Sequence, residues 1–163
     1  MDRLWAPWRE KYVTKIIGAT KGCVFCRIEK DKKDKANYVF ARSKYAYAVL
    51  NIYPYSNGHT LIVPKRHIKD LGELKREERE DMFDLLERTK IRLDKVLHPG
   101  GYNIGINLGK IAGAGFPNHL HIHIVPRWKG DVNFMPVVSQ TKIISQSLKV
   151  LFDKIGHADK KRH

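Results

Sequence analysis

The 163-residue chain has only two cysteines, few acidic side chains for its size, and no hydrophobic run approaching the length of a membrane span. Two cysteines exclude a disulfide framework. The missing apolar run excludes a spanning helix. The first residues, Met1-Asp2-Arg3-Leu4-Trp5, lack the basic-then-apolar order of a secretory leader, so the expectation is a soluble cytoplasmic protein. There is no internal repeat, linker or low-complexity segment, and the length suits one domain with a real core. Against 31 Lys and Arg stand 17 Asp and Glu, a formal charge of +14. Such an excess suits a solvated surface, a phosphorylated small molecule or a nucleic acid. No cluster of basic residues interleaved with aromatics marks a nucleic-acid face.

What is present is ordered. Residues 38–41 and 45–50 read as antiparallel strands around Arg42-Ser43-Lys44. Asn57-Gly58 forms a turn into a third strand, 59–63, stopped by Pro64. Residues 73–97 carry apolar side chains at spacings of three and four, the pattern of one long helix, which Pro99-Gly100-Gly101 ends. Strand 102–108 leads to a small-residue loop, 109–115, then to a fifth strand on the histidine run. A short helix at 145–154 closes the chain. Lys30 to Lys35 reads as an exposed turn, and 156–163 as a basic tail. The order predicts an α+β fold: an antiparallel five-stranded sheet with one long helix on one face and a short C-terminal helix. The domain is expected to fill 1–163, with 1–20 as an aromatic N-terminal extension packed on the domain or on a second subunit.

The chemistry concentrates in His119-Leu120-His121-Ile122-His123-Ile124-Val125. On a strand, alternate residues share a face, so Leu120, Ile122 and Ile124 enter the core while three of the chain's eight histidines line the other side. Imidazole is a nucleophile, proton carrier and metal ligand near neutral pH. A neutral imidazole attacks phosphorus and splits one hard displacement into two easier ones. The preceding loop, Asn107 to Gly115, has glycines that allow backbone N–H groups to approach an anion, although no Gly-Lys-Ser/Thr makes it a P-loop.

Cys23 and Cys26, in Gly22-Cys23-Val24-Phe25-Cys26, form half a zinc site. A thioredoxin-like redox pair expects a strand before and a helix after, a context the sequence does not offer. Candidate partners are His59, His67 and one triplet member. His59 lies inside its strand, whereas His67 follows the Pro64-Lys65-Arg66 turn and can reach a neighbouring loop. Spacing therefore favours Cys23, Cys26, His67 and His119 as a Cys₂His₂ set; the alternative is a reduced, buried cysteine pair beside an exposed His67.

The motifs Asn107-x-Gly109-x-x-Ala112-Gly113, His119-x-His121-x-His123 and Pro126-Arg127 resemble the histidine triad (HIT) superfamily of nucleotidyl hydrolases and transferases. So do Leu50-Asn51-Ile52-Tyr53-Pro54, Gly58-His59-Thr60 and Pro64-Lys65-Arg66-His67. Leu4-Trp5-Ala6-Pro7-Trp8-Arg9, Val125-Pro126-Arg127-Trp128, Gly130-Asp131-x-Asn133-Phe134 and Thr141-Lys142 resemble the Fhit-like branch with bacterial diadenosine tetraphosphate phosphorylases. The resemblance implies His121 as nucleophile on the α-phosphate, His123 as phosphate or bridging-oxygen donor, and His59 as support. It implies Asn51, Asn107, Gly113 and Gly115 near nucleoside and phosphates, zinc on Cys23, Cys26, His67 and His119, and a homodimer. A divalent cation accompanying the substrate is compatible with it. Where many members carry Gln-Ser or Gln-Thr before the triad, this chain has Gly115-Phe116-Pro117-Asn118, which favours a good polyphosphate leaving group. The expected activity is cleavage of dinucleoside polyphosphates with phosphate or water as acceptor. The alternatives are a nucleoside phosphoramidase and a zinc-stabilised module that binds nucleotide or nucleic acid without turnover.

Overall fold

The computed structural model describes residues 22–131 and 144–157. The aromatic extension, Asn133-Phe134, Thr141-Lys142 and the end of the basic tail lie outside the described residues.

The chain forms five strands in one antiparallel sheet: β1 (Val39–Arg42), β2 (Ala46–Leu50), β3 (Thr60–Pro64), β4 (Gly101–Ile106) and β5 (Ile122–Arg127), in spatial order β1-β2-β3-β5-β4. The helices are α1 (Val24–Asp31), the single turn α2 (Asp34–Asn37), the long α3 (Arg76–Leu97) and α4 (Leu148–His157). The α+β sheet and both expected helices are present. Each side of the central strands is covered, so every residue of β2 and β3 is buried. Ala46, Ala48, Leu50, Ile62, Ile122 and Ile124 pack in a cluster with Met82, Leu85 and Leu93 of α3 and Leu151 and Ile155 of α4. Tyr47, Val49, Leu61 and Val63 point the other way and pack on Phe25 of α1.

The second layer departs from the sequence reading, which placed helix on one face only. The segment after Cys23 is helical through Asp31, and Asp34–Asn37 adds a turn, where the charges of Lys30 to Lys35 read as an exposed turn. Phe25 and Ile28, three residues apart, are too small a stripe to signal a helix, but Phe25 is buried against the sheet and Ile28 packs half-buried beside it. The long helix starts at Arg76, not Glu73, because Leu71–Glu73 forms a separate 3₁₀ turn and Glu78 accepts the Lys75 N–H at 2.9 Å to cap the N-terminus. Its buried stripe is Met82, Leu85, Thr89 and Leu93; Ile91 falls off that stripe and is exposed. Strand pairing covers 101–106 and 122–127, shorter than the apolar patterns, so His119 and His121 stand just before β5, outside the paired strand. The last helix runs to His157 and takes in Gly156, which the sequence assigned to the tail.

Gly58 shows why one turn needs glycine. Its φ is +76°, and an added Cβ would lie 2.4 Å from Leu97 Cδ1. This turn delivers His59, buried to 1 % exposure, to the start of β3.

Candidate active site and metal centre

The histidine row lies under α1. The Phe25 ring sits 5.3 Å from His119 and 5.2 Å from His121, centroid to centroid, and 5.3 Å from Phe116. A cavity of about 280 Å³ opens beside it. Val24, Phe25 and Ile28 of α1 and Val49 supply apolar walls, residues 51–55 form a rim, and Gly113, Gly115, Phe116, His121 and His123 close the other end.

Three histidines of one row hold three different sets of partners. His119 Nε2 donates to the Pro64 carbonyl at 2.9 Å. A carbonyl only accepts, so the proton is on Nε2 and the bare Nδ1 faces Cys23 Sγ at 3.2 Å and Cys26 Sγ at 3.7 Å. His121 is reversed: its Nδ1 donates to the His119 carbonyl at 2.8 Å, which leaves the lone pair on Nε2. His59 Nδ1 accepts the Tyr55 N–H at 3.0 Å, so its proton sits on Nε2 and is donated to His123 Nδ1 at 2.9 Å. His123 therefore carries its own proton on Nε2, a buried atom with no partner among the described residues. The Tyr55 ring stacks on His59 at 4.7 Å and on His123 at 5.9 Å, fixing both planes. Burial lowers all three triad imidazoles from their ordinary range, His119 and His123 to about 4 and His121 in the same direction, so all are neutral at pH 7.

Cys23, Cys26, His67 and His119 converge, with one ligand atom from each and all four atoms within 4.8 Å of one another. Cys26 Sγ lies 3.2 Å from His67 Nδ1. Cys23 precedes the first turn of α1 and Cys26 lies within it, so one helix terminus presents both sulfurs. The helix that a redox pair would require is thus present, but two imidazole nitrogens face the sulfurs as well. The residue before His67 is tied down by an ion pair: Arg66 donates to both oxygens of Glu78, at 2.9 and 2.7 Å, and to the Glu73 carbonyl. That pair draws the Glu78 carboxyl down to about 2. Burial, then the neighbouring Cys23, push the Cys26 thiol up to about 11, so a cation taking up that sulfur displaces its proton. Two sulfurs, two imidazoles and the Pro64 carbonyl behind His119 make a cluster that can hold a metal ion.

Of the expected nucleotide contacts, Asn51, Gly113, Gly115 and His123 line the cavity. Asn51 Oδ1 accepts the Tyr53 N–H at 2.9 Å, and its Nδ2 lies 3.3 Å from His59 Nδ1. Asn107, just beyond β4, is not among the lining residues. The glycine loop is also closed on itself: the Gly113 N–H donates to the Lys110 carbonyl and that of Ala114 to the Gly109 carbonyl, so these two amides are turned away from the anion role the sequence suggested. Sequence reasoning missed the α1 wall and the Tyr55 stack. The clue to the first was Phe25, a large apolar side chain inside the Cys23–Cys26 pair; nothing marked Tyr55.

Fold and site together place two imidazoles on a cavity, beside a separate cluster of two sulfurs and two imidazoles. A family model described as "HIT domain" matches residues 32–130, and the chain belongs to the HIT family. Among its relatives is "AP-4-A phosphorylase" of Mycobacterium tuberculosis, 36 % identical over 156 residues, covering 91 % of this chain and 80 % of the relative. A "Bis(5'-nucleosyl)-tetraphosphatase [asymmetrical]" of Schizosaccharomyces pombe is 38 % identical over 93 residues, covering 57 % of this chain and 50 % of that protein. Among solved structures, a Zn-bound histidine triad family protein from Mycobacterium smegmatis superposes with a TM-score of 0.67 at 28 % identity, covering 84 % of this chain and 92 % of that one.

Proposed function

We propose that this HIT-family enzyme cleaves dinucleoside polyphosphates through a nucleotidyl group carried on His121. The observation that supports it best is the His121 tautomer. Its Nδ1–H is engaged by a backbone carbonyl, and its Nε2 lone pair belongs to a neutral ring lining the cavity. That nitrogen attacks the α-phosphorus, a P–N bond forms, and the bridging P–O bond breaks to release a nucleoside polyphosphate. The charge gained by the ring is stabilised through Nδ1–H and the His119 carbonyl. The His123 Nε2–H, which has no partner among the described residues, donates to an oxygen of the transferring phosphoryl, and His59 holds His123 in that tautomer. An acceptor then attacks the same phosphorus and frees His121. Phe116 brings no hydroxyl to protonate the departing oxygen, which suits a weakly basic polyphosphate leaving group better than the amine of a phosphoramidate.

Inorganic phosphate is the acceptor this reading favours over water, in line with the name of the mycobacterial relative. Incubating diadenosine tetraphosphate with and without phosphate tests it. ADP and ATP formed only with phosphate support the phosphorylase; AMP and ATP would make the enzyme a hydrolase; rapid turnover of adenosine phosphoramidate alone would replace the substrate class.

The ion we assign to Cys23, Cys26, His67 and His119 is zinc, a choice supported by the two sulfurs and two imidazoles. It would supply folding energy rather than chemistry, because His119 turns away from the cavity. A second copy of the chain is the partner we assign to the β4 edge, where Ile104 is 46 % exposed and one side of the strand has no neighbouring strand among the described residues. Among the described residues no helix is long and apolar enough to cross a membrane. Two free cysteines suit a reducing, cytoplasmic setting.

A further inference from the structure

The cavity has a polar group at the end remote from the histidines. Asn37 is the last residue of α2 and leads into β1. Its half-buried side chain lines the cavity among Val24, Phe25, Ile28 and Val49, and hydrogen-bonds to no described residue. The sheet fixes how far it lies from the chemistry. Val39, two residues after Asn37, is linked across the sheet through Val49 and Leu61 to His123, which sets the Asn37 end about three strand spacings, or roughly 14 Å, from His123. A nucleoside monophosphate lying along the cavity with phosphorus at His121 runs its base along the α1 wall, past Phe25, toward Asn37.

We propose that Asn37 reads the edge of the nucleobase and sets the base preference of the enzyme. The proposal rests on the nucleotide reading above. Apolar walls grip any purine by its faces and cannot tell one from another; an amide beside them can. Asn37 offers one acceptor, Oδ1, and a donor pair on Nδ2. Adenine presents a donor next to an acceptor on both of its accessible edges, N6–H₂ beside N1 and beside N7, so the amide makes two hydrogen bonds whichever edge faces it. Guanine offers that combination only at O6 and N1–H, since O6 and N7 are both acceptors. Adenine is therefore favoured. A carboxylate at this position accepts only, and pairs with the adjacent N1–H and N2–H₂ donors of guanine while repelling N1 and N7 of adenine.

The test is kcat/KM for diadenosine and diguanosine tetraphosphate on the wild-type enzyme, Asn37→Asp, Asn37→Leu and His121→Ala. Asn37→Asp is expected to raise the guanine-to-adenine ratio by about tenfold or more, the discrimination of one bidentate base contact. Asn37→Leu should raise KM for the adenine substrate and leave kcat unchanged, because the phosphoryl end is untouched. An unaltered base ratio in Asn37→Asp overturns the proposal. If that variant does not fold, an unchanged KM in Asn37→Leu overturns it instead. Full activity in His121→Ala would refute the underlying reading and not this one, so the two failures are separable.

Discussion

His119 and His121 are the same residue type, two positions apart, buried to 2 % and 5 % exposure under the same phenyl ring. One faces a pair of thiols and the other a cavity lined by His123. What separates them is a carbonyl. The Pro64 oxygen takes the Nε2 proton of His119 and bares Nδ1; the His119 oxygen takes the Nδ1 proton of His121 and bares Nε2. Backbone geometry, not the ring, decides which nitrogen is available and where it points. The proposed metal end and the proposed reacting end are also joined, because His119, whose Nδ1 faces the sulfurs, supplies the carbonyl that orients His121.

The largest effect expected from breaking this comparison is at the reacting end. His121→Ala should lower kcat by about a thousandfold or more, with melting temperature and nucleotide affinity little changed. Activity within an order of magnitude of wild type would remove His121 as the nucleophile. At the other end the signature inverts. Cys23→Ser should cost about 3 kcal/mol or more of stability, a fall of roughly 10 °C in melting temperature, together with loss of bound zinc measured by elemental analysis. A protein that binds no zinc and ignores chelators would contradict the metal assignment.

Much of this division was legible beforehand, for a physical reason. Strict alternation over Leu120, Ile122 and Ile124 announces a strand, and Cys₂His₂ chemistry needs four specific residue types, so Cys23, Cys26, His67 and His119 could be picked from spacing before their convergence was seen. The helix over Val24–Asp31 was not legible. It buries Phe25 alone, and its remaining surface is charged or half-exposed, so its stability comes from the sheet it covers rather than from its own pattern. Asn107 lies outside the cavity lining for the converse reason: a residue one step past a strand end is aimed by local backbone geometry, which spacing does not encode. The Tyr55 stack depends on the turn before Gly58, and nothing in the residue order shows which ring that turn will lay on His59.

A smaller effect tests the support of the reacting end. His123→Ala should reduce kcat by about a hundredfold, the usual cost of one donor to a developing oxyanion. A loss confined to KM would assign His123 to binding alone. The smallest effect lies outside both ends. Glu78, which holds Arg66 beside His67, has its carboxyl drawn down to about 2 from an ordinary value of 4.5. Above 4.5 the group is ionised in both the folded and unfolded chain, and its stabilisation is fully present. Between 4.5 and 2 the unfolded chain takes up the proton first, so that stabilisation drains away as pH falls. Glu78→Gln should cost about 1–2 kcal/mol at pH 7 and show a shallower acid loss than wild type in urea titrations. Equal acid slopes in the two proteins would show that the pair contributes nothing.

The central claim is that one histidine of the row carries the substrate while its neighbour holds the metal. Rapid acid-free quenching of the enzyme with α-phosphate-labelled diadenosine tetraphosphate in the absence of inorganic phosphate, followed by peptide mapping, measures it directly. The account predicts a nucleotidyl group on His121 alone, discharged when phosphate is added. Label on His119 or His123, or turnover with no labelled peptide at any time, would contradict it.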